Sequence, residues 1–146
     1  MEYSEDTVME TRGLTFSYDG EQNILENLDF AIPAGKVTVL MGANGCGKST
    51  LFKLMTKNLY PDEGSIILEG EDIDEMRLKA LAKKVAIVHQ NNTAPPDLTV
   101  ERLVGYGRTP YLGAFQTAGG QEDEEAVEWA MEITDVKKHR NKSVAE

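Results

Sequence analysis

The chain has 146 residues, a formal charge of −10 and a single cysteine. That length suits about one domain with a buried core, and one cysteine excludes an intrachain disulfide and fits a reducing compartment. The acidity argues against nucleic acid as a main partner, because phosphate binding on that scale needs a basic surface.

The charge is patchy. Acidic residues gather at Glu2/Glu5/Asp6, from Glu69 to Glu75 and from Glu122 to Glu132, while Lys137, Lys138, His139, Arg140 and Lys142 form a basic stretch. Solvated faces and helix-end charges account for most of this. No apolar run approaches the roughly 18–20 residues of a membrane span. The opening residues are acidic where a secretory signal would be basic. The expectation is a soluble, cytoplasmic chain that reaches a membrane only through a partner.

In chain order, residues 8–18 alternate in part, with Leu14, Phe16 and Tyr18 on one side, and Leu28, Phe30 and Ile32 do the same. Asp19-Gly20-Glu21-Gln22-Asn23 between them reads as a turn, so two antiparallel strands are predicted. Lys36-Val-Thr-Val-Leu-Met41 is short, apolar and β-branched, which predicts a buried parallel strand. Leu51 to Met55 has helical spacing, the Leu51/Met55 and Phe52/Met55 intervals suiting one helix face. Pro61-Asp-Glu-Gly64 is a turn, Ser65 to Glu69 a strand, and Gly70 a further break. Arg77 to Lys84 reads as a short basic helix, and Val85-Ala-Ile-Val-His89 as a second buried strand.

Past Gln90 the character changes. Residues 91–96 form a loop that Pro95 and Pro96 keep from becoming helix. Thr99 can cap a helix over Val100 to Tyr106. Gly105 to Gly120 is loop-like. Glu122 to Ile133 is an amphipathic helix with Ala126, Val127, Ala130 and Met131 on one face and an acidic first turn. There is no internal repeat and no low-complexity segment.

Between the segment ending at Met41 and the helix from Leu51 lies Gly42-Ala43-Asn44-Gly45-Cys46-Gly47-Lys48-Ser49-Thr50, which fits G-x-x-x-x-G-K-[ST]. Strand, glycine turn and helix start, in that order, are the context this pattern requires. The glycines allow left-handed angles and close approach of phosphate oxygens. Successive amides at a helix N-terminus favour an anion. Lys48 reaches the β- and γ-phosphates, Ser49 offers a hydroxyl to Mg²⁺, and Thr50 a second hydroxyl nearby. The expected ligand is a nucleoside triphosphate with Mg²⁺.

With that loop, the residues resemble the ATP-binding subunit of ATP-binding-cassette transporters over almost the whole chain. Tyr18 sits where that family stacks an aromatic on adenine; as a residue it also reads as a strand aromatic packed in a β-layer. Pro33-Ala-Gly35-Lys36 is similar to the family's turn into the loop strand, and Pro61-Asp-Glu-Gly-Ser-Ile66 to its Pro-x-x-Gly-x-Ile step. Val88-His89-Gln90 resembles the opening of its Q-loop, which implies that Gln90 contacts Mg²⁺ or attacking water; the plain alternative is a polar loop residue. His89 is left structural. Leu98-Thr-Val-Glu101 is similar to the start of the family's helical subdomain. Cys46 either fills a small slot or, at a helix N-terminus, is a reactive thiol shielded by nucleotide.

Tyr106-Gly-Arg-Thr-Pro-Tyr-Leu112 is similar to a Gly-Arg-x-Pro segment in members serving ferric-siderophore, haem and vitamin B12 importers. Gly45-Cys-Gly47 suits the ferric-siderophore branch. The resemblance implies an α/β phosphate-loop nucleoside triphosphate hydrolase core, with an N-terminal antiparallel β-subdomain and the start of a helical subdomain, as an incomplete domain. It divides as 1–34 antiparallel part, 35–90 core, and 91–146 Q-loop and helical part.

The implied site is Lys48 and Gln90 as catalytic residues and Tyr18, Gly42, Asn44, Gly45, Cys46, Gly47, Lys48, Ser49 and Thr50 around ATP. Ser49 and Gln90 are its metal contacts. The implied partners are integral-membrane permease subunits through Gln90 to Leu112 and a second ATPase subunit, on the inner face of the cell membrane. Where the family's Leu-Ser-Gly-Gly-Gln begins, this sequence reads Lys142-Ser-Val-Ala-Glu146. The Walker B aspartate, catalytic glutamate and switch histidine have no counterpart within these residues; His139, in a basic, solvated helix end, is no substitute. The expectation is ATP binding with negligible turnover, and an unpaired edge beside the loop strand. The alternatives are a non-catalytic regulatory module or, from another class, a phosphate-loop kinase or GTPase; no Asn/Thr-Lys-x-Asp guanine reader is present.

Overall fold

A computed structural model describes residues 6–89, 93–113 and 120–145. The chain divides into two compact units, residues 1–85 and 86–146.

The first unit is built on an antiparallel sheet of order β2-β1-β3-β4. Its strands are β1 (Thr7–Ser17), β2 (Asn23–Pro33), β3 (Glu63–Leu68) and the two-residue β4 (Glu71–Asp72). The predicted β1–β2 pair is present, running from Thr7↔Pro33 to Ser17↔Asn23. A bulge falls between Thr11 and Leu14, where Gly13 takes φ +58° and its amide donates to Asp29 Oδ1 at 2.5 Å. The slip places both Leu14 and Phe16 in the core. The Thr11 hydroxyl donates to Leu28 O at 2.8 Å and accepts from the Phe30 amide at 3.1 Å, so a side chain stands in for ladder bonds. Glu69 and Gly70, at φ +50° and +86°, form the tight turn that returns β3 as β4.

Helix α1 (Lys48–Met55) lays Leu51, Leu54 and Met55 against Leu14, Phe16, Leu25, Ile66 and Leu68. Phe52, assigned to that face from spacing, is exposed; Leu54 takes the place. Helix α2 (Leu78–Lys84) contributes Leu81 to the same core. Lys57, at φ +57° just past α1, donates through Nζ to the carbonyls of Ile73, Asp74 and Met76 at 2.8–2.9 Å, which ties α1 to the turn before α2.

Two predicted strands are corrected. Residues 36–41 and 85–89 carry no ladder, and Val37, Val39, Met41 and Val88 stand exposed. A parallel strand needs neighbours to hydrogen-bond and layers to cover it, and among the described residues no strand pairs with either segment.

The second unit contains α3 (Val100–Gly105) and α4 (Gln121–Ile133), with 3-10 turns at Tyr106–Tyr111 and Lys137–His139. Thr99 caps α3 as expected, its Oγ1 accepting from the Arg102 amide at 3.4 Å. On α4 the half-buried face is Ala126, Val127 and Ala130, with Met131 fully buried. The loop expected from Gly105 begins instead with an ordered 3-10 turn. Arg108 holds it, with Nε on Asp123 Oδ1 at 2.6 Å and the guanidinium 3.9 Å from the centre of the Tyr111 ring. Arg140 pairs with both Glu128 and Glu101, and Val144 N donates to Leu98 O at 2.9 Å, which closes residues 140–144 back on α3. Lys137 and Lys138 stay exposed as expected of a solvated basic end, but His139 is half-buried with Nδ1 enclosed, so the expectation is corrected for the histidine.

Candidate nucleotide site

The loop from Gly42 to Gly47 is positioned by α1 at one end and by β2 underneath. Gly47 is the residue before the helix, at φ +93°, and is buried. A Cβ there would lie 2.9 Å from Leu25 Cδ2 and 3.2 Å from Ile24 O, so the loop rests directly on the start of β2. Gly45 at φ +80° faces open space, and its glycine is demanded by backbone angle alone.

Lys48 folds back over the loop. Its Nζ donates to Gly42 O and Ala43 O, both at 2.7 Å, and lies 3.5 Å from Cys46 Sγ. Among the described residues no carboxylate pairs with this ammonium. Carbonyl oxygens orient the charge without neutralising it. The amides of Lys48, Ser49 and Thr50 have no backbone acceptor among the described residues, as expected for a first helical turn. A lysine cation, three unclaimed amides and the positive end of α1 are therefore gathered at this loop. A Cβ on Gly42 would sit 2.7 Å from Cys46 Sγ and 3.9 Å from Lys48 Nζ, so glycine keeps the mouth of this cradle open.

These features fit a polyphosphate. Ser49 is exposed at the head of α1, with a hydroxyl accessible to a Mg²⁺ ion carried in on the phosphates. Asn44 and Cys46 are exposed on the loop itself. Thr50 differs. It is 5% exposed, and its hydroxyl lies 3.2 Å from the hydroxyl of Tyr18. Tyr18 stands one residue past β1, 58% exposed, with its ring edge-on to Phe16 at 4.9 Å between centroids. Residues far apart in sequence are thereby joined at the phosphate loop, and no periodicity could have signalled the pairing. Gln90 lies outside the described residues.

A second concavity, a cleft of about 680 Å³, lies in the second unit between α3, the 3-10 turn and α4. Its walls include Arg102, Tyr106, Arg108, Asp123 and Glu128, and the phosphate loop is not part of it. The loop is an open cradle rather than a cavity, and its chemistry, more than enclosed volume, makes it the candidate nucleotide site.

An α/β unit with a lysine-bearing glycine loop at a helix N-terminus defines a phosphate-loop nucleotide-binding protein. Residues 25–146 match the family described as ABC transporter. The chain belongs to that family. It is 44% identical over 88% of its length to the achromobactin transport ATP-binding protein of Dickeya dadantii, covering 47% of that protein. It is 38% identical over 93% of its length to the iron(3+)-hydroxamate import ATP-binding protein of Bacillus subtilis, covering 50%. With the ferric enterobactin transport ATP-binding protein of Escherichia coli the identity is 40%, over 95% of this chain and 51% of that one.

Among solved structures, the CbiO1 subunit of Clostridium perfringens, part of the CbiONQ ABC transporter complex, superposes with a TM-score of 0.75. The identity is 26%, over 94% of this chain and 54% of that one. The fold is accordingly the phosphate-loop ATPase fold, with an antiparallel β part and a helical part, and the kinase and GTPase alternatives fall away. The chain spans about half the length of the curated relatives it matches.

Proposed function

We propose that this chain binds MgATP at residues 42–50 as part of the ATPase subunit of an importer for iron(III)-siderophores. The observation that carries the reading is the Lys48 ammonium, poised on the carbonyls of Gly42 and Ala43 beside the unclaimed amides of residues 48–50. Lys48 and the amides hold the β- and γ-phosphates, Ser49 the Mg²⁺, and the Tyr18 ring the adenine. Gly42, Asn44, Gly45, Cys46 and Gly47 form the cradle. Bound Mg²⁺ supplies charge neutralisation at the phosphates.

Gln90 is proposed to sense the γ-phosphate side and the metal. Turnover needs a group that positions water and a carboxylate for Mg²⁺, and residues 1–146 alone are proposed to bind without appreciable hydrolysis. The region from Gln90 to Leu112 is proposed to face a membrane permease on the cytoplasmic side. It holds a rigid element, the Tyr106–Tyr111 turn clamped by Arg108 on Asp123. A second ATPase subunit completes the working dimer. The functional organisation is proposed to divide as 1–34, 35–90 and 91–146. Siderophore as cargo is supported by relatives named for achromobactin, iron(3+)-hydroxamate and ferric enterobactin transport. Among the described residues no helix is long and apolar enough to cross a membrane, so the permease is a separate requirement of this reading.

Calorimetric titration of MgATP tests the site, with Lys48→Ala as control. Saturable heat that vanishes in the control is the expected result. Equal binding in both proteins, or none in the parent, would sink it. Loss of radio-iron uptake from ferric siderophore on deleting the gene tests the cargo; unchanged uptake would redirect it.

A further inference from the structure

We propose that Thr50 is a positioning residue for the Tyr18 ring. Its buried hydroxyl, 3.2 Å from the Tyr18 phenol, fixes the ring for base stacking and so governs affinity for the nucleotide's base more than for its phosphates. The proposal rests on the ATP reading and assigns Thr50 a role distinct from that of Ser49.

Burial is the first argument. Thr50 is only 5% exposed, and the hydroxyl of a residue buried to that extent needs a hydrogen-bond partner. In a helix the usual choice is the carbonyl four residues back, yet the partner here is a phenol on another element. The second argument concerns Tyr18. It lies beyond the last ladder residue of β1, on the turn that Asp19 organises by accepting from the amides of Glu21 and Gln22. Strand pairing does not hold its side chain. Among the described residues two contacts do: the edge-on packing with Phe16, and the hydroxyl bond to Thr50 at the far end of the ring.

A ring pinned at its edge and its tip, and still 58% exposed, keeps a face free for a planar ligand. Because its rotamer is already set, stacking need not order it. Freeing it should cost about 3- to 10-fold in affinity, the usual effect of having to immobilise one side chain on binding. The phosphates, held by Lys48 and the loop amides, are indifferent to the ring. The effect should therefore appear as a change in the ratio of two affinities.

The test measures dissociation constants of MgATP and of magnesium tripolyphosphate, which lacks the base, on the full 146-residue chain. Thr50→Val keeps the buried shape and removes the hydroxyl; Tyr18→Phe keeps the ring and leaves the core untouched. Each should weaken MgATP by about 3- to 10-fold and leave tripolyphosphate within about twofold. The double variant should be no worse than either single one, and Thr50→Ser should restore MgATP binding. Equal weakening of both ligands by Thr50→Val would overturn the proposal, as would unchanged MgATP affinity in Tyr18→Phe. A parent chain that binds neither ligand, or binding that survives Lys48→Ala, would overturn the ATP reading itself and the proposal with it.

Discussion

Gly47 lies against Leu25 so closely that a Cβ on the glycine would come within 2.9 Å of Leu25 Cδ2. The phosphate loop is thus seated on the antiparallel sheet through a residue that must also hold φ +93°. Gly47→Ala meets both constraints together. The left-handed angle alone costs on the order of 1–3 kcal/mol, and Leu25 or the loop has to move to relieve the contact. The expected outcome is a lower midpoint in urea with loss of MgATP binding. Gly45→Ala, with the same backbone demand and no neighbour, should cost less stability. Equal midpoints for the two variants would show that Leu25 does not seat the loop.

Cys46 offers a direct readout of loop occupancy. It is exposed, and its Sγ lies 3.5 Å from Lys48 Nζ, on the side where phosphates would bind. N-ethylmaleimide should label this thiol, the only one in the chain, and saturating MgATP should slow labelling about tenfold or more if 90% of loops are occupied. Rates that are the same with and without nucleotide would mean that the thiol points away from the bound phosphates.

At Gly64 the demand is structural. Its φ is +83°, and a Cβ would meet the carbonyl oxygens of Arg12 and Gly13. Backbone atoms on β1 cannot rotate aside as a side chain can. Gly64→Ala should therefore destabilise the first unit by about 2 kcal/mol or more, read as a shift in urea midpoint with an unchanged m-value. An unaltered midpoint would mean that β3 can move off β1 without loss.

What the sequence made legible follows from how far each signal reaches. Leu14 with Phe16 and Leu28 with Phe30 carry a period of two, and the turn residues from Asp19 to Asn23 join them, so β1 and β2 could be placed. The loop from Gly42 to Thr50 is contiguous, and its glycines and Lys48 spell out their own chemistry. The apolar runs at 36–41 and 85–89 misled, because composition reports a tendency to pair and says nothing of whether partners are present. Phe52 misled for a related reason: three of four positions on a short helix satisfy helical spacing, and only packing against Leu14 and Ile66 selects Leu54. The Tyr18–Thr50 and Lys57–Ile73 contacts were invisible, since each joins residues on different elements through polar atoms that leave no periodicity.

Asp19 provides a pH signature next to Tyr18, the residue proposed to stack on the base. The Gln22 and Glu21 amides and the Ser17 hydroxyl donate to its carboxylate and lower its pKa to about 2. The unfolded value is about 3.9. The folded value lies below it, so the turn's contribution is fully present above about pH 4 and is lost as pH falls through 4 toward 2. The Asp19 carboxyl carbon, followed by NMR, should titrate near 2 in the folded chain. In Asp19→Asn this part of the acid dependence should disappear. A midpoint at the ordinary carboxylate value would show that the turn does not hold the ionised form.

The segment from Lys36 to Met41 makes a prediction about association. Val37 is 94% exposed, Val39 74% and Met41 87%, in a β-branched run that no strand covers among the described residues. Unpaired apolar backbone of this kind recruits other chains through ladder bonds. The 146-residue chain should therefore self-associate with rising concentration, seen as a growing sedimentation coefficient. Val37→Lys with Val39→Lys places charge on the exposed side chains without touching Gly42 to Thr50, and should return the chain toward monomer while MgATP affinity stays the same. If the double variant associates as strongly as the parent, the contact lies elsewhere. If it becomes monomeric but loses nucleotide binding, the segment shapes the loop as well as the edge.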